Sequence, residues 1–386
     1  MLAIRMGVLP RHGMPIHAVL RALTRVKEGL PHHLLHIIAG SMTTVPHPLA
    51  LEAFRMFHLY NANDLEMFSE LRRLEEEAVA MMGEILRCDR GCTGMITSGG
   101  SEANIAALYL AREHSLKRVY VAPTAHDSVL KAAKILSLEV VKVGITKGYT
   151  IDVNDLEKRC RERGPGLIVA TMGTTGFGTI DPIKDIDEVA RRYGCLIHVD
   201  AAFGGFVAPL LYSEPLCFEL PTVISATIDP HKLGQVPIPA GGLIVRSREW
   251  FEPLVFEAKY MPASKQIGLL GTRTGGSIAA TWAMLKHMGY EGYKKQAEEL
   301  MDRTRSLLTL LRQYGFTPAA EPRVPIICIE LKNDEYVIKS LASKGVYLYR
   351  CGLVPGVRIV VMPHVSVDVL RKVVEALVDV AKGLRV

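Results

Sequence analysis

Leu196-Ile197-His198-Val199-Asp200-Ala201-Ala202 is a short, mostly apolar run that ends in a carboxylate. Such a run reads as a buried strand, with Asp200 at its C-terminal end. A carboxylate there has two readings. It caps a following helix, or it faces the ligand crevice that open α/β sheets carry at the carboxyl ends of their strands. The flanking sequence decides the fold. Strands are expected at 119–122, 139–143, 167–172 and 223–227, and helices at 101–112, 126–136, 152–163 and 185–193. Asp152 is placed to cap the third of these helices and Gly164 to end it. Strand–helix alternation implies right-handed crossovers and a mostly parallel sheet covered on both faces, an α/β fold. Residues 242–245 follow 223–227 too closely for an intervening helix. One antiparallel strand, at an edge or in an insertion, is therefore expected.

Outside this block the period changes. Apolar residues recur at three and four over 16–28 and 66–85, which predicts amphipathic helices. Beyond about Leu270 long helices are expected at 277–288 and 298–314, strands at 324–331 and 358–361, and a terminal helix at 366–382. The chain of 386 residues thus divides into an N-terminal helical segment (1–45), a large ligand-binding domain (46–270) and a small C-terminal α+β domain (271–386).

Composition excludes several classes. At 49% hydrophobic and 22% charged, the chain is globular rather than disordered. Basic residues number 46 and acidic 40, and the excess is spread along the chain. Nucleic-acid binding is therefore not expected. No apolar run is long enough to span a membrane, and residues 1–11 do not read as a secretory signal. Seven scattered cysteines, an odd number, do not read as a disulfide framework and suit a reducing cytoplasm. His32 and His36 would share a helix face, and Cys88 and Cys92 form one pair. Neither set supplies enough ligands for a metal, so none is expected. Gly-x-Gly-x-x-Gly, a phosphate loop ending Gly-Lys-Ser/Thr and Gly-x-Ser-x-Gly are all absent. That disfavours ordinary dehydrogenases, nucleotide hydrolases and serine hydrolases.

Three local patterns carry chemistry. Gly99-Gly100-Ser101 opens a helix, where free N–H groups and the helix dipole favour phosphate, although such a start also serves simply as a cap. Asp200 ends its strand. Asp229-Pro230-His231-Lys232 places a lysine just past another strand, either as a solvated loop residue or as a desolvated amine suited to Schiff-base chemistry. Together, a phosphate cradle, a strand-end Asp and a strand-end Lys describe a site for pyridoxal phosphate. The amine condenses with its aldehyde, and the carboxylate keeps the ring nitrogen protonated.

With those residues in view, the chain resembles the group II pyridoxal-phosphate-dependent amino-acid decarboxylases, and most closely the archaeal L-tyrosine/L-aspartate decarboxylase family. The resemblance runs from about Gly40 to the C-terminus. It rests on Thr97-Ser98-Gly99-Gly100-Ser101-Glu102-Ala103-Asn104, Ala125-His126-Asp127-Ser128, Gly173-Thr174-Thr175, His198-Val199-Asp200-Ala201-Ala202 and Ile228-Asp229-Pro230-His231-Lys232. Pro239-Ala240-Gly241-Gly242, Leu270-Gly271-Thr272-Arg273 and Arg358-Ile359-Val360-Val361-Met362-Pro363-His364 extend it.

The resemblance implies an aspartate-aminotransferase-type fold (pyridoxal-phosphate fold type I), with a sheet of about seven strands and a small C-terminal domain. It also implies a homodimer with shared active sites. Lys232 would carry the cofactor, Asp200 would pair with the ring nitrogen, and His126 would stack on the ring. Gly100, Ser101, Thr175, His231 and Thr272 would line the phosphate and ring, and Ala202 the other ring face. Asp229 stands where many relatives have Asn, and an anion there is ill suited to touch phosphate. Tyr260, on a loop reaching the partner subunit, would protonate the substrate carbon, or else simply pack at an interface. Arg358 would hold a substrate carboxylate, or else form a structural salt bridge. The expected activity is α-decarboxylation of an L-amino acid in the cytoplasm. The basic excess prefers aspartate, giving β-alanine for coenzyme A, over tyrosine, giving tyramine for methanofuran. Alternatives are glutamate decarboxylation and a carbon–carbon lyase like the sphingosine-phosphate lyases, against which the short N-terminus argues. A non-catalytic dimeric binding module is a third, against which Lys232 argues.

Overall fold

The computed structural model describes residues 9, 11–33, 36–64, 66–89, 91–260 and 265–382. Helix α1 (Ile16–Glu28), strand β1 (Ile37–Ile38), α2 (Pro48–Phe57) and α3 (Ser69–Ile85) come first. Then β2 (Thr93–Thr97), α4 (Gly100–Glu113), β3 (Arg118–Val121), α5 (Asp127–Ile135), β4 (Glu139–Lys142), α6 (Val153–Arg163), β5 (Leu167–Thr171), α7 (Ile183–Tyr193) and β6 (Leu196–Asp200) alternate. After the short α8 (Ala208–Leu211), β7 (Val223–Ile228) and β8 (Gly241–Val245) complete a seven-stranded sheet in the order β2-β8-β7-β6-β5-β3-β4. Strands β3 to β7 pair in parallel. β8 runs antiparallel to both its neighbours, so the odd strand lies one place in from the edge, which β2 occupies.

The central strands are mostly apolar because both faces are covered, whereas edge strand β4 is largely exposed. Val119, Val121, Leu167 and Val169 pack with Leu108 and Ala111 of α4 and Val129 and Ala132 of α5. Their neighbours Tyr120, Ile168 and Ala170 join the opposite cluster, with Leu156 of α6 and Ile186 and Val189 of α7. Asp152 caps α6 by accepting from the N–H groups of Asn154 and Asp155, and Gly164 ends it at φ 80°.

Further on lie α9 (Arg248–Phe251) and a hairpin of β9 (Val255–Glu257) and β10 (Lys265–Ile267). The two long helices expected near 277 and 298 are one run, α10 (Gly275–Gln313), interrupted at Gly289 with φ 59° and ψ −175°. β11 (Ile326–Glu330), α11 (Asp334–Ser343), β12 (Val346–Tyr347), β13 (Tyr349–Arg350), β14 (Gly356–Val360) and α12 (Val367–Lys382) follow. β11, β14 and β13 form an antiparallel sheet. β1 pairs with β12, which ties the N-terminal segment to this C-terminal unit. No helix among the described residues is long and apolar enough to cross a membrane.

Two expectations need correction. Cys88–Cys92 and Cys328–Cys351 are disulfides, leaving Cys160, Cys195 and Cys217 free, so the scattered spacing hid two spatial pairs. The Cys88–Cys92 bridge also removes that pair as a metal candidate. His32 and His36 do not share a helix face; the His36 Nδ1 accepts from the His32 N–H within a turn.

Arg273, from the Leu270-Gly271-Thr272-Arg273 stretch, anchors the loop after β10. Its guanidinium lies buried against Glu75 of α3, donates to Asn63 Oδ1 at 2.7 Å and to the Ile96 carbonyl at 3.0 Å. Glu75 also accepts the Ile96 N–H. Replacing one partner leaves the other charge buried and unpaired. Arg273→Met should therefore cost about 3–5 kcal/mol of stability in denaturant unfolding. The double variant Glu75→Met/Arg273→Met should recover most of that loss.

Candidate active site

The carboxyl ends of β5, β6 and β7 and the first turn of α4 enclose a cavity of about 300 Å³. This is where a parallel sheet places its ligand crevice. Gly99, Gly100, Ser101, His126, Thr175, Asp200, Ala202, His231 and Lys232 all line it. Nine residues scattered over more than a hundred positions therefore meet in one space.

Each is positioned by its element. α4 begins at Gly100, so the N–H groups of its first turn lack helical partners and point to the helix start. A Cβ on Gly100 would lie 2.7 Å from Asp229 Oδ2, so only glycine lets the helix approach the sheet this closely. Glu102 accepts the Ser98 N–H at 2.7 Å and braces the turn. His126 caps α5, with its Nδ1 2.8 Å from the Ser128 hydroxyl and accepting the Ser128 N–H. His231 Nδ1 donates to the Ala240 carbonyl at 2.6 Å, which leaves Nε2 as its acceptor.

Asp200 is buried at the end of β6. Its Oδ2 accepts from Asn104 at 2.9 Å and its Oδ1 from the Ala202 N–H at 3.1 Å. Lys232 lies in the turn after β7, its amine 3.1 Å from Asp229 Oδ2. Asp229 thus holds the amine, which gives its carboxylate a role other than touching phosphate.

Arg358, on β14, does not line the cavity, but it donates to the carbonyl of Thr175, which does, at 3.0 Å. A second nitrogen donates to the Gly40 carbonyl at 2.9 Å, and its Nε has no partner. The structural salt bridge is not found; no carboxylate pairs with Arg358 among the described residues. Burial lowers its pKa to about 10. Two expected residues are not brought to the cavity. Tyr260 is 82% exposed beyond β9, and the residues that follow it, 261–264, lie outside the described residues. Thr272 lines a neighbouring cavity that shares Ser98 and Glu102 with the first. Sequence reasoning gave no role to Asn104. Its place one turn after Gly100, on the same face of α4, was the available signal.

The arrangement fits a phosphorylated aldehyde with a basic ring. The open helix start offers donors, Lys232 a half-buried amine and Asp200 a buried carboxylate. Asp229 Oδ1 and Thr171 Oγ1 are buried without protein partners at the cavity wall. Among the described residues no cluster of three or more His, Cys, Asp or Glu could hold a metal.

Comparisons with known proteins agree. Residues 63–332 match the pyridoxal-dependent decarboxylase conserved domain. The chain is 38% identical, over 90% of its length and 91% of the relative's, to a "Probable L-tyrosine/L-aspartate decarboxylase" of Methanothrix thermoacetophila. It is 35% identical, over 96% and 99%, to an "L-aspartate/L-glutamate decarboxylase" of Pyrococcus horikoshii. In fold it is similar to a sphingosine-1-phosphate lyase of Burkholderia pseudomallei, with a TM-score of 0.87 at 23% identity, covering 98% of this chain and 93% of that one. The fold is pyridoxal-phosphate fold type I, and the cofactor is pyridoxal 5'-phosphate. The chain is an amino-acid carboxy-lyase and belongs to the group II pyridoxal-dependent decarboxylases.

Proposed function

We propose that the enzyme decarboxylates L-aspartate to β-alanine, for coenzyme A synthesis, as a cytoplasmic homodimer with shared active sites. Arg358 carries this reading. A buried guanidinium without a carboxylate partner calls for an anion. The departing carboxylate loses its charge during the reaction, so an ion pair to it would stabilise the ground state more than the transition state. Arg358 serves better on a carboxylate that stays, and aspartate has one where tyrosine has a phenol. Both archaeal relatives above carry aspartate in their names. Glutamate, in the second name, is the alternative. The two disulfides are compatible with the cytoplasm of a hyperthermophile, where intracellular proteins keep such bridges.

When bound, pyridoxal phosphate supplies an electron sink for the bond that breaks. In our reading Lys232 Nζ is its attachment point, and Asp229 orients that amine. Gly100, Ser101, Thr175 and His231 would hold its phosphate and ring, and Ala202 and His126 would pack against the ring. Asp200 holds a proton on the ring nitrogen. Residues 46–270 form the unit that binds it, and 271–386 the unit that brings Arg358. Thr272 and Tyr260 lie outside the cavity of their own chain, so we assign them to the partner's site. There Thr272 contacts phosphate and the Tyr260 hydroxyl delivers a proton to the substrate carbon.

Four experiments check this reading. Borohydride reduction of the holoenzyme followed by peptide mapping should mark Lys232, and Lys232→Ala should abolish turnover; label on another lysine would refute the assignment. A panel of aspartate, glutamate and tyrosine should give most turnover with aspartate. Arg358→Gln should raise KM for aspartate by about thirtyfold or more, as expected for truncating a buried charge pair, and leave tyrosine turnover nearly unchanged. Equal losses on both would place Arg358 on the α-carboxylate instead. Tyr260→Phe should still release carbon dioxide but form less amine than carbon dioxide. Equal yields at an unchanged rate would make Tyr260 a packing residue and turn attention to His126.

A further inference from the structure

Asn104, which also lines the cavity, makes four hydrogen bonds between α4 and the sheet. Its amide nitrogen donates to Asp200 Oδ2 and to the Ser128 hydroxyl, both at 2.9 Å. Its oxygen accepts from the Thr227 hydroxyl at 2.7 Å and from His198 Nε2 at 3.0 Å. Asn104, Ser128, His198, Asp200 and Thr227 are all buried. The orientation of the amide is forced, because a carboxylate accepts only and must face the NH₂ group. His198 is neutral, since burial lowers its pKa to about 4. With Nε2 donating, its Nδ1 accepts from the Ser225 hydroxyl at 2.8 Å.

The chain of bonds continues to the cavity. The Ser128 hydroxyl oxygen accepts a hydrogen bond from the Asn104 amide, and its O–H donates to His126 Nδ1, 2.8 Å away. The Ser128 N–H also points at that nitrogen. Two donors converge on Nδ1, so the single proton of the His126 ring sits on Nε2. We propose that Asn104 is a positioning residue that locks two cavity groups as one unit: it holds Asp200 as an acceptor for a ring N–H, and through Ser128 it fixes His126 as the Nε2-protonated tautomer. This inference rests on the cofactor-site reading of Asp200 and His126. An aspartate at 104 would set two carboxylates against each other and lose both donors. A smaller residue would leave Asp200 more basic, so that it draws the shared proton from the ring nitrogen and weakens the electron sink.

The test uses holoenzyme variants. Asn104→Ala should lower kcat tenfold or more with KM within about twofold, and shift the pH titration of bound-cofactor absorbance by about one unit or more, as expected for losing a donor to a charged group. Ser128→Ala, which cuts only the His126 branch, should change kcat less than threefold and leave that titration in place, while weakening cofactor retention. Asp200→Asn is the control. If it leaves the absorbance titration unmoved, the reading of Asp200 fails. If it moves the titration and Asn104→Ala does not, the role of Asn104 fails. Lower thermal stability of Asn104→Ala with kcat and titration unchanged would make it merely structural. Should Asn104→Ala not fold, ¹⁵N NMR of imidazoles in the wild-type holoenzyme decides, because a proton on His126 Nδ1 overturns the network.

Discussion

Asp200 and Asp229 are buried carboxylates at the ends of neighbouring strands, and a buried charge persists only with partners. Much of the surrounding structure answers that constraint. Asp229 is met by the amine of Lys232. Asp200 is met by the Ala202 N–H and the Asn104 amide. To bring Asn104 there, α4 must lie close on the sheet, and that closeness requires glycine at position 100. The same approach sets the open start of α4 over the cavity. Phosphate cradle, amine and ring partner are thus three results of one packing geometry.

The large sheet was legible because its strands are apolar and its connections carry helical periods. Residues 119–122, 139–143 and 167–172 all fell on strands with small errors at the ends. Asp152 and Gly164 bounded α6 as their chemistry requires. Position along the sheet was not legible. β8 follows β7 closely in the sequence, but it reaches β2 through pairings of residues more than a hundred positions apart, and no local pattern carries that. α2 was missed because Pro48 and His47 did not register as a helix start, although the His47 side chain caps it.

Nine of the sixteen residues that line the cavity were named from the sequence, those at strand ends and helix starts, where sequence and space agree. What escaped were long-range partners. Asn104 reads as one more polar residue in a helix until β6 and β7 are folded against it. Arg358 was read as a carboxylate binder, but its attachment to Gly40 accompanies the pairing of β1 with β12. Two-residue strands leave no sequence period. The cysteines failed for the same reason: Cys328 and Cys351 meet only because the β11–β14 sheet brings their segments together.

That bridge closes a loop between positions 23 apart, and Cys328 stands opposite Arg358 in the β11–β14 register. Loop closure of this size restricts the unfolded chain by about 3 kcal/mol. β11 and β14 also share a hydrophobic cluster with α10 and α12, so the bridge adds to packing that already holds the sheet. The firmness of Arg358 therefore depends on the thiol chemistry of the surroundings as well as on packing. Protein recovered under strong reductant would keep its cofactor cradle on the large sheet, yet hold its guanidinium more loosely.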